Sequence, residues 1–584
     1  MKFYDFNPGT DYRAEDFVWY MGDLYQFRKD HAAGRWKVDE VQQVTRKQLI
    51  NLLGQIGSNC EELQEQLEEL EKTGAYKRYG VTGIELQASA LTRIYDSIGM
   101  TAEVGTDDST VIVNNDFDHA EPFIHRKCVG NWTLGEDGYP KFNVQAYLGD
   151  EDYAEDGTMG DYVAVELPLS YYCLDGNTLT ISAHPYPGFR PFDIFCRDHD
   201  PNNVLEKVYV PAYALALDAN NHAVCLPGLY NDQGNYSHCF ENARKYNNSD
   251  VAAKGQLMPA ALQFYYWALM TVEFAQQNLQ SVMRGYADVR SSGNDLCKFL
   301  DETHVVAARY KTADHTTMEN YNTAWQVAGD TIAIIATSIS DIHNASYKAT
   351  HKVLSVTRCD EEGTPDNTGS YQLLQLEDLG ANYYDYDTTG ATDYKIGGRP
   401  QPTGSCSNVV TPSGSPVSNS DGHHAMRYRY RENVYGNQIH TSVDLFDMRI
   451  DPEGNEQYEL EWYYLPNPSL IETVKNPDAA DLAAEPYEKL TMHTANANYV
   501  NGYIVSRQYD EKYPDIWAPL ATVGGGDTKY YGDYAHLVSS AVVRSVRFGG
   551  SYSLGASDGP SYFNAFYAPS NGSANYGGDL CFPQ

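Results

Sequence analysis

Basic residues are scarce in this chain: 42 Lys and Arg stand against 79 Asp and Glu, a formal net charge of −37 over 584 residues. A surface that negative repels phosphate backbones, so neither nucleic acid nor an anionic membrane is an expected partner. Long hydrophobic runs are also missing. The most apolar stretch, Pro259 to Ala275, is shorter than a bilayer span and carries Gln263 and Glu273. The start, MKFYDFNPGTDYRAEDF, has neither the basic nor the apolar segment of a secretory leader. A soluble chain without membrane insertion is expected. The ten cysteines are scattered, and the closest pair, Cys225 and Cys239, is fourteen positions apart. With no CxxC, thioredoxin-type and zinc-site readings fall away and free, buried thiols are expected. Signatures of catalysis are absent too: there is no GxSxG elbow, P-loop, HExxH or EF-hand loop. Without a nucleophile and a visible base, no enzyme, no metal and no cofactor is expected.

What is abundant is tyrosine, with 48 Tyr against 19 Phe and 7 Trp. Tyrosine gives contact area with a polar tip, which suits binding surfaces as well as cores. The length corresponds to roughly four domains as a prior. Residues 1–40 are expected to form a separate N-terminal region. Leu49, Leu53, Ile56, Cys60, Leu63, Leu67 and Leu70 follow a 4-3-4-3-4-3 spacing, the a/d seam of a coiled coil, so residues 41–76 are expected to form a self-association helix. The Leu-rich seam leans above two strands, and a homotrimer is expected. Residues 77–200 read as a β-rich block of short strands with turn signals. Pro259 then opens a helix, AALQFYYWALMTVEFAQQNLQSVM, apolar around most of its circumference and ending near Gly285. Glu273 within it reads as a buried or half-buried carboxylate paired with an arginine. Residues 304–400 return to strand-like text as a small β insertion. A Ser/Gly/Pro-rich loop covers 402–422, where His423–His424 read as solvated. The cluster Asp198-His199-Asp200 with Asn202 reads as an Asx turn ahead of a cation loop.

The segment 541–584 has a different character. Tyr552, Leu554, Asp558, Ser561, Tyr562, Asn564, Phe566, Tyr567 and Asn571 are interleaved with Gly, Ala, Pro and Ser. Aromatic and amide side chains on a Gly-punctuated backbone have the composition of a paratope. An equally weighted reading is a Gly-rich end whose Tyr and Phe close a core.

The run Arg544-Ser-Val-Arg-Phe-Gly-Gly-Ser-Tyr-Ser-Leu-Gly-Ala-Ser-Asp-Gly-Pro, with Asn564, Ala568-Pro569-Ser570 and Gly577, resembles the C-terminal end of C-type lectin folds. The subgroup is that of formylglycine-generating enzymes and retroelement-diversified phage receptor-binding proteins. Tyr428-Arg429-Tyr430-Arg431-Glu432-Asn433-Val434-Tyr435-Gly436-Asn437, with Asp444 after it, is similar to a signature of phage tail proteins carrying this domain. Gly414–Gly422, Val272–Ala275 and the loop from Gly524-Gly525 to Tyr534 fit the same pattern. The resemblance implies a C-type lectin-like domain over 201–584 and an α+β fold class for the chain. It further implies a structural protein of a tailed-bacteriophage virion, a tail fibre or tail tip. Such a protein would bind a host-surface glycan or protein through the tail residues named above, Tyr552 to Asn571, and other virion proteins through its N-terminal attachment region, residues 1–40. A head fibre or decoration protein is the alternative, and a formylglycine-generating-type oxidase the second. Enzymes of the fold use paired cysteines or an HxxxHxE triad, whereas here Cys581 is alone near the end and no HxxxHxE occurs.

Overall fold

Short runs of Val, Ile, Thr and Tyr punctuated by Gly, Asp and Asn favour strands and tight turns over helices. They dominate the computed structural model of this chain, where strands hold 41% of the described residues and helices 12%. It describes 77–105, 114–246, 254–289, most of 295–584 and short segments within 3–43; residues 44–76, 106–113, 247–253, 290–294, 311–317, 320–325, 337–349, 378–393, 409–421, 468–475, 496–499 and some shorter stretches lie outside the description. Three α-helices occur among the described residues: α1 (Tyr236–Ala243), α2 (Ala260–Phe274) and α3 (Ala479–Leu482). The fold is mostly β, which corrects the α+β expectation. Only α2 is long, and sheets enclose it instead of further helices.

The N-terminal segments form a four-stranded sheet of Phe3–Asp5, Phe17–Tyr20, Asp23–Phe27 and Val41–Gln43, closed by a small core of Tyr12, Val18, Phe27 and Val41. Val41–Gln43, the expected start of the coiled-coil segment, is thus a strand paired with Asp23–Phe27. The heptad positions Leu49, Leu53, Ile56, Cys60, Leu63, Leu67 and Leu70 lie outside the described residues.

Two antiparallel sheets follow. One runs in the order Arg190–Pro191, Tyr171–Asp175, Thr178–Ser182, Arg78–Thr82, Thr92–Tyr95; the other runs Lys207–Pro211, Tyr162–Pro168, Arg126–Leu134, Pro140–Tyr147. A nine-stranded sheet holds the C-terminal third. Its centre is the long strand Ile439–Ile450, flanked by Glu459–Tyr464 and Val543–Phe548, with Tyr576–Gly577 added in parallel at Ile439 and His440.

All fifteen residues of α2 are buried. Its first turn is capped by Asp444, whose carboxylate accepts from the Ala260 N–H at 3.0 Å, satisfying one of the donors a helix start leaves free. It ends where Ala275 turns left-handed (φ 49°), well before the expected Gly285. One continuous core joins 79–283 to 426–582, so it runs across position 200, where a domain boundary was expected. Tyr172 packs edge-on to Phe264, and Trp132 stacks on Phe582 at 4.4 Å.

Strands between Asp295 and Gly398 form a separate sheet with its own core of Cys297, Val305, Ile332, Val353, Leu374 and Ile396. Asp295–Phe299 pairs with both Tyr394–Gly398 and His304–Tyr310, and this double pairing closes six strands into a ring.

Candidate functional site

The strand Val543–Phe548 leads into Gly549 and Gly550, both at positive φ (86° and 68°). The chain then folds inward. Tyr552 is fully buried against Tyr286 and Val289, and its N–H donates to the Asn437 carbonyl at 3.1 Å. Asp558 is buried and accepts from the Ser551 N–H at 3.0 Å; Ser561 is buried, its N–H donating to Asp533 at 2.6 Å and its hydroxyl meeting the Arg507 guanidinium. Tyr562 packs on Ile439 and Tyr576, its hydroxyl accepting from the Asn564 amide at 3.2 Å. Asn564 is buried and accepts from the Phe566 N–H. Leu554 and Phe566 are half-buried. Only Tyr567, 37% exposed, and Asn571 stand at the surface.

Most of the expected contact residues therefore build the tail instead of displaying it. Tyr552 and Tyr562 are core aromatics, and Asp558, Ser561 and Asn564 are internal hydrogen-bond partners. The physical reason lies in backbone satisfaction. An irregular Gly/Pro-rich backbone must pair its N–H groups, and water is the usual partner. Here buried carboxylates do that work: Asp533 and Asp558 accept main-chain N–H groups, and burial pushes both well above the ordinary carboxylate range. Asp533 lies in the loop already singled out around Gly532, but nothing in its local pattern marks it as buried.

The residues of the tail signature and the upstream signature meet. Glu273 on α2 is fully buried and takes Arg429 through two contacts, 2.7 and 2.9 Å, with Tyr428 at 2.8 Å and Asn115 at 2.7 Å. Arg431 and His440 both reach Asp579 at 2.8 Å. Burial would raise Asp579, but these two partners hold it down to about 2. Gly436 donates to the Gly549 carbonyl at 2.7 Å. Arg507 lies within 4.2 Å of the ring centres of Trp267, Trp517 and Tyr531, a cation boxed by aromatic faces.

A cavity of about 370 Å³ opens where the C-terminal Cys581–Gln584 meets the 193–199 loop and the start of α2. Its titratable lining includes His199, Asp193, Asp444 and Cys581. His199 Nδ1 faces Asp193 at 2.7 Å and Nε2 faces the Pro466 carbonyl at 2.8 Å. With acceptors on both nitrogens the ring is an imidazolium. Burial would lower it, yet Asp193 lifts it to about 9, so it is no base at neutral pH. Burial pushes the Cys581 thiol well above its ordinary range, the opposite of what a reactive thiol needs. Asp198 and His199 are both left-handed (φ 52° and 59°). Asp200 accepts from the Asn202 N–H at 2.9 Å, an Asx turn. Among the described residues no group of three His, Cys, Asp or Glu is placed to hold a metal. His423, read as solvated, instead pairs with the buried Asp330 at 3.0 Å. Among the described residues no helix is long and apolar enough to cross a membrane. No protein-family model matches the chain, and no curated protein is found similar to it.

Proposed function

We propose that this chain is a structural protein of a tailed-bacteriophage virion, a tail-fibre or tail-tip component that attaches to the host surface through a C-terminal lectin-like unit. One observation carries the reading. The signature residues that resemble phage lectin-type proteins are spread from Val272 to Gly577, and they meet one another: Glu273 with Tyr428 and Arg429, Gly436 with Gly549. A string of chance matches has no reason to close such a network. The unit works by binding and not by turnover, in keeping with an imidazolium His199 and a protonated Cys581. Its ligand-facing rim carries Tyr567 and Asn571, and subunits associate as a homotrimer through Leu49 to Leu70.

Immunogold electron microscopy of phage particles, with antibody to this chain, tests the assignment. Label at the tail supports it; label on the capsid replaces it with a head-fibre role, and particles free of label overturn it. Light scattering tests the association. The native protein is expected at three times the chain mass, and the double change Ile56→Asp and Leu63→Asp, which puts charge into an apolar seam, is expected to release monomers.

A further inference from the structure

Beside the tail lies a second hollow, of about 630 Å³, lined by the 217–221 turn, residues 228–233 and His238 of α1. We propose, resting on the host-attachment reading, that this pocket binds a neutral sugar. Asn231 lines it and is 5% exposed, yet among the described residues neither its side-chain Oδ1 nor its Nδ2 has a hydrogen-bond partner. A buried amide left unpaired is costly, and such groups in folded proteins find partners. Next to it, the Asp232 carboxylate is held by the Asn242 amide at 2.9 Å and by His238 at 3.1 Å, with the Cys239 thiol beside it. An amide and a fixed carboxylate on adjacent residues offer both a donor and acceptors. Neighbouring sugar hydroxyls, each donor and acceptor at once, require that combination. Leu217, Leu229 and Tyr230 add apolar surface for the C–H face of a ring.

Charge sets the class of sugar. Asp218 and Asp232 line the pocket, and among the described residues no Lys or Arg does, so sialylated, sulfated or phosphorylated glycans are repelled. Its volume falls within the range of small-ligand sites. The wall also continues into the tail. Gly234 donates to the Tyr576 carbonyl at 3.2 Å, Tyr236 to Pro569 at 3.1 Å, and the Asn235 amide to Ser570 at 3.3 Å. A glycan chain leaving the pocket therefore meets the loop that carries Tyr567 and Asn571.

The test uses the full chain. Free galactose, glucose, mannose and N-acetylglucosamine are followed by saturation-transfer NMR and calorimetry, and a glycan array holds neutral and acidic oligosaccharides. At least one neutral sugar is expected to bind, at least tenfold more weakly in Asn231→Leu with an unchanged melting temperature. His238→Ala, on the exposed side of the wall, is expected to weaken binding at least threefold and decides the matter should Asn231→Leu fail to fold. The proposal is overturned if no neutral sugar binds, if only acidic glycans or proteins bind, or if the folded variants bind as the native chain does. Particle labelling is independent of this result, so a chain found on the tail with an empty pocket refutes the sugar site alone.

Discussion

Glu432 has two neighbours that favour its charged form, the Gly404 N–H at 2.6 Å and the Asn433 amide at 3.0 Å, and a third in the Cys406 thiol. Burial nevertheless pushes its carboxyl up to about 7 from an ordinary 4.5. The folded chain then holds a proton that the unfolded chain gives up. Stability from this group is complete below pH 4.5 and falls as pH rises through 7, by about 3 kcal/mol in all. Denaturant unfolding between pH 4.5 and 8 checks this. The native chain is expected to lose stability across that window, and Glu432→Gln, which cannot ionise, is expected to lose less. Asp444, at about 6, acts with the same sign, so the difference between the two proteins is the quantity to read. An equal slope in both would remove Glu432 from the account. Glu273 is the instructive contrast: its place on an apolar helix announced a buried carboxylate, and its partner proved to be Arg429.

The elements that shape the tail are turns, and glycine fixes their course. Gly550 is left-handed, and a Cβ there would collide with the Asp558 carboxylate. Gly550→Ala is accordingly expected to cost about 2 kcal/mol or more, from left-handed strain plus the displaced carboxylate. A denaturation midpoint that did not move would show the turn to be pliable. The Gly-Gly-Ser run was visible in the sequence; the inward course it imposes on Tyr552 and Tyr562 was not. Which way an irregular segment faces depends on what satisfies its backbone, and here the answer comes from Asp533 and Asp558, brought in by tertiary packing. The strand text of 77–200 and of the insertion was legible because alternation is local. The end of α2 was overrun because Gln276 and Gln277 are good helix formers, while Gln277 instead ties its side chain to the Leu86 and Ala88 carbonyls.

At the scale of the whole molecule, the C-terminal strand is the seam. Tyr576–Gly577 joins the central strand, Cys581 pairs with Gln256, and Phe582 enters an aromatic nest of Trp132, Tyr162 and Tyr246. Phe582→Ala is expected to cost about 3–5 kcal/mol by opening that nest, read from urea unfolding followed by tryptophan emission; a loss under 1 kcal/mol would mean the nest closes without it. The seam also ties folding to the clock of protein synthesis. Trp132 and Phe582 are 450 residues apart, so at about 5–20 residues per second roughly 20 to 90 seconds of synthesis separate the two rings. Throughout that interval Trp132 and its neighbours wait for a ring not yet made. Until Phe582 is made, the apolar faces of Trp132, Tyr162 and Tyr246 that it covers lack their partner ring. The seam thus joins an early core to a late strand, and a copy cut between the two lacks the ring that closes the nest.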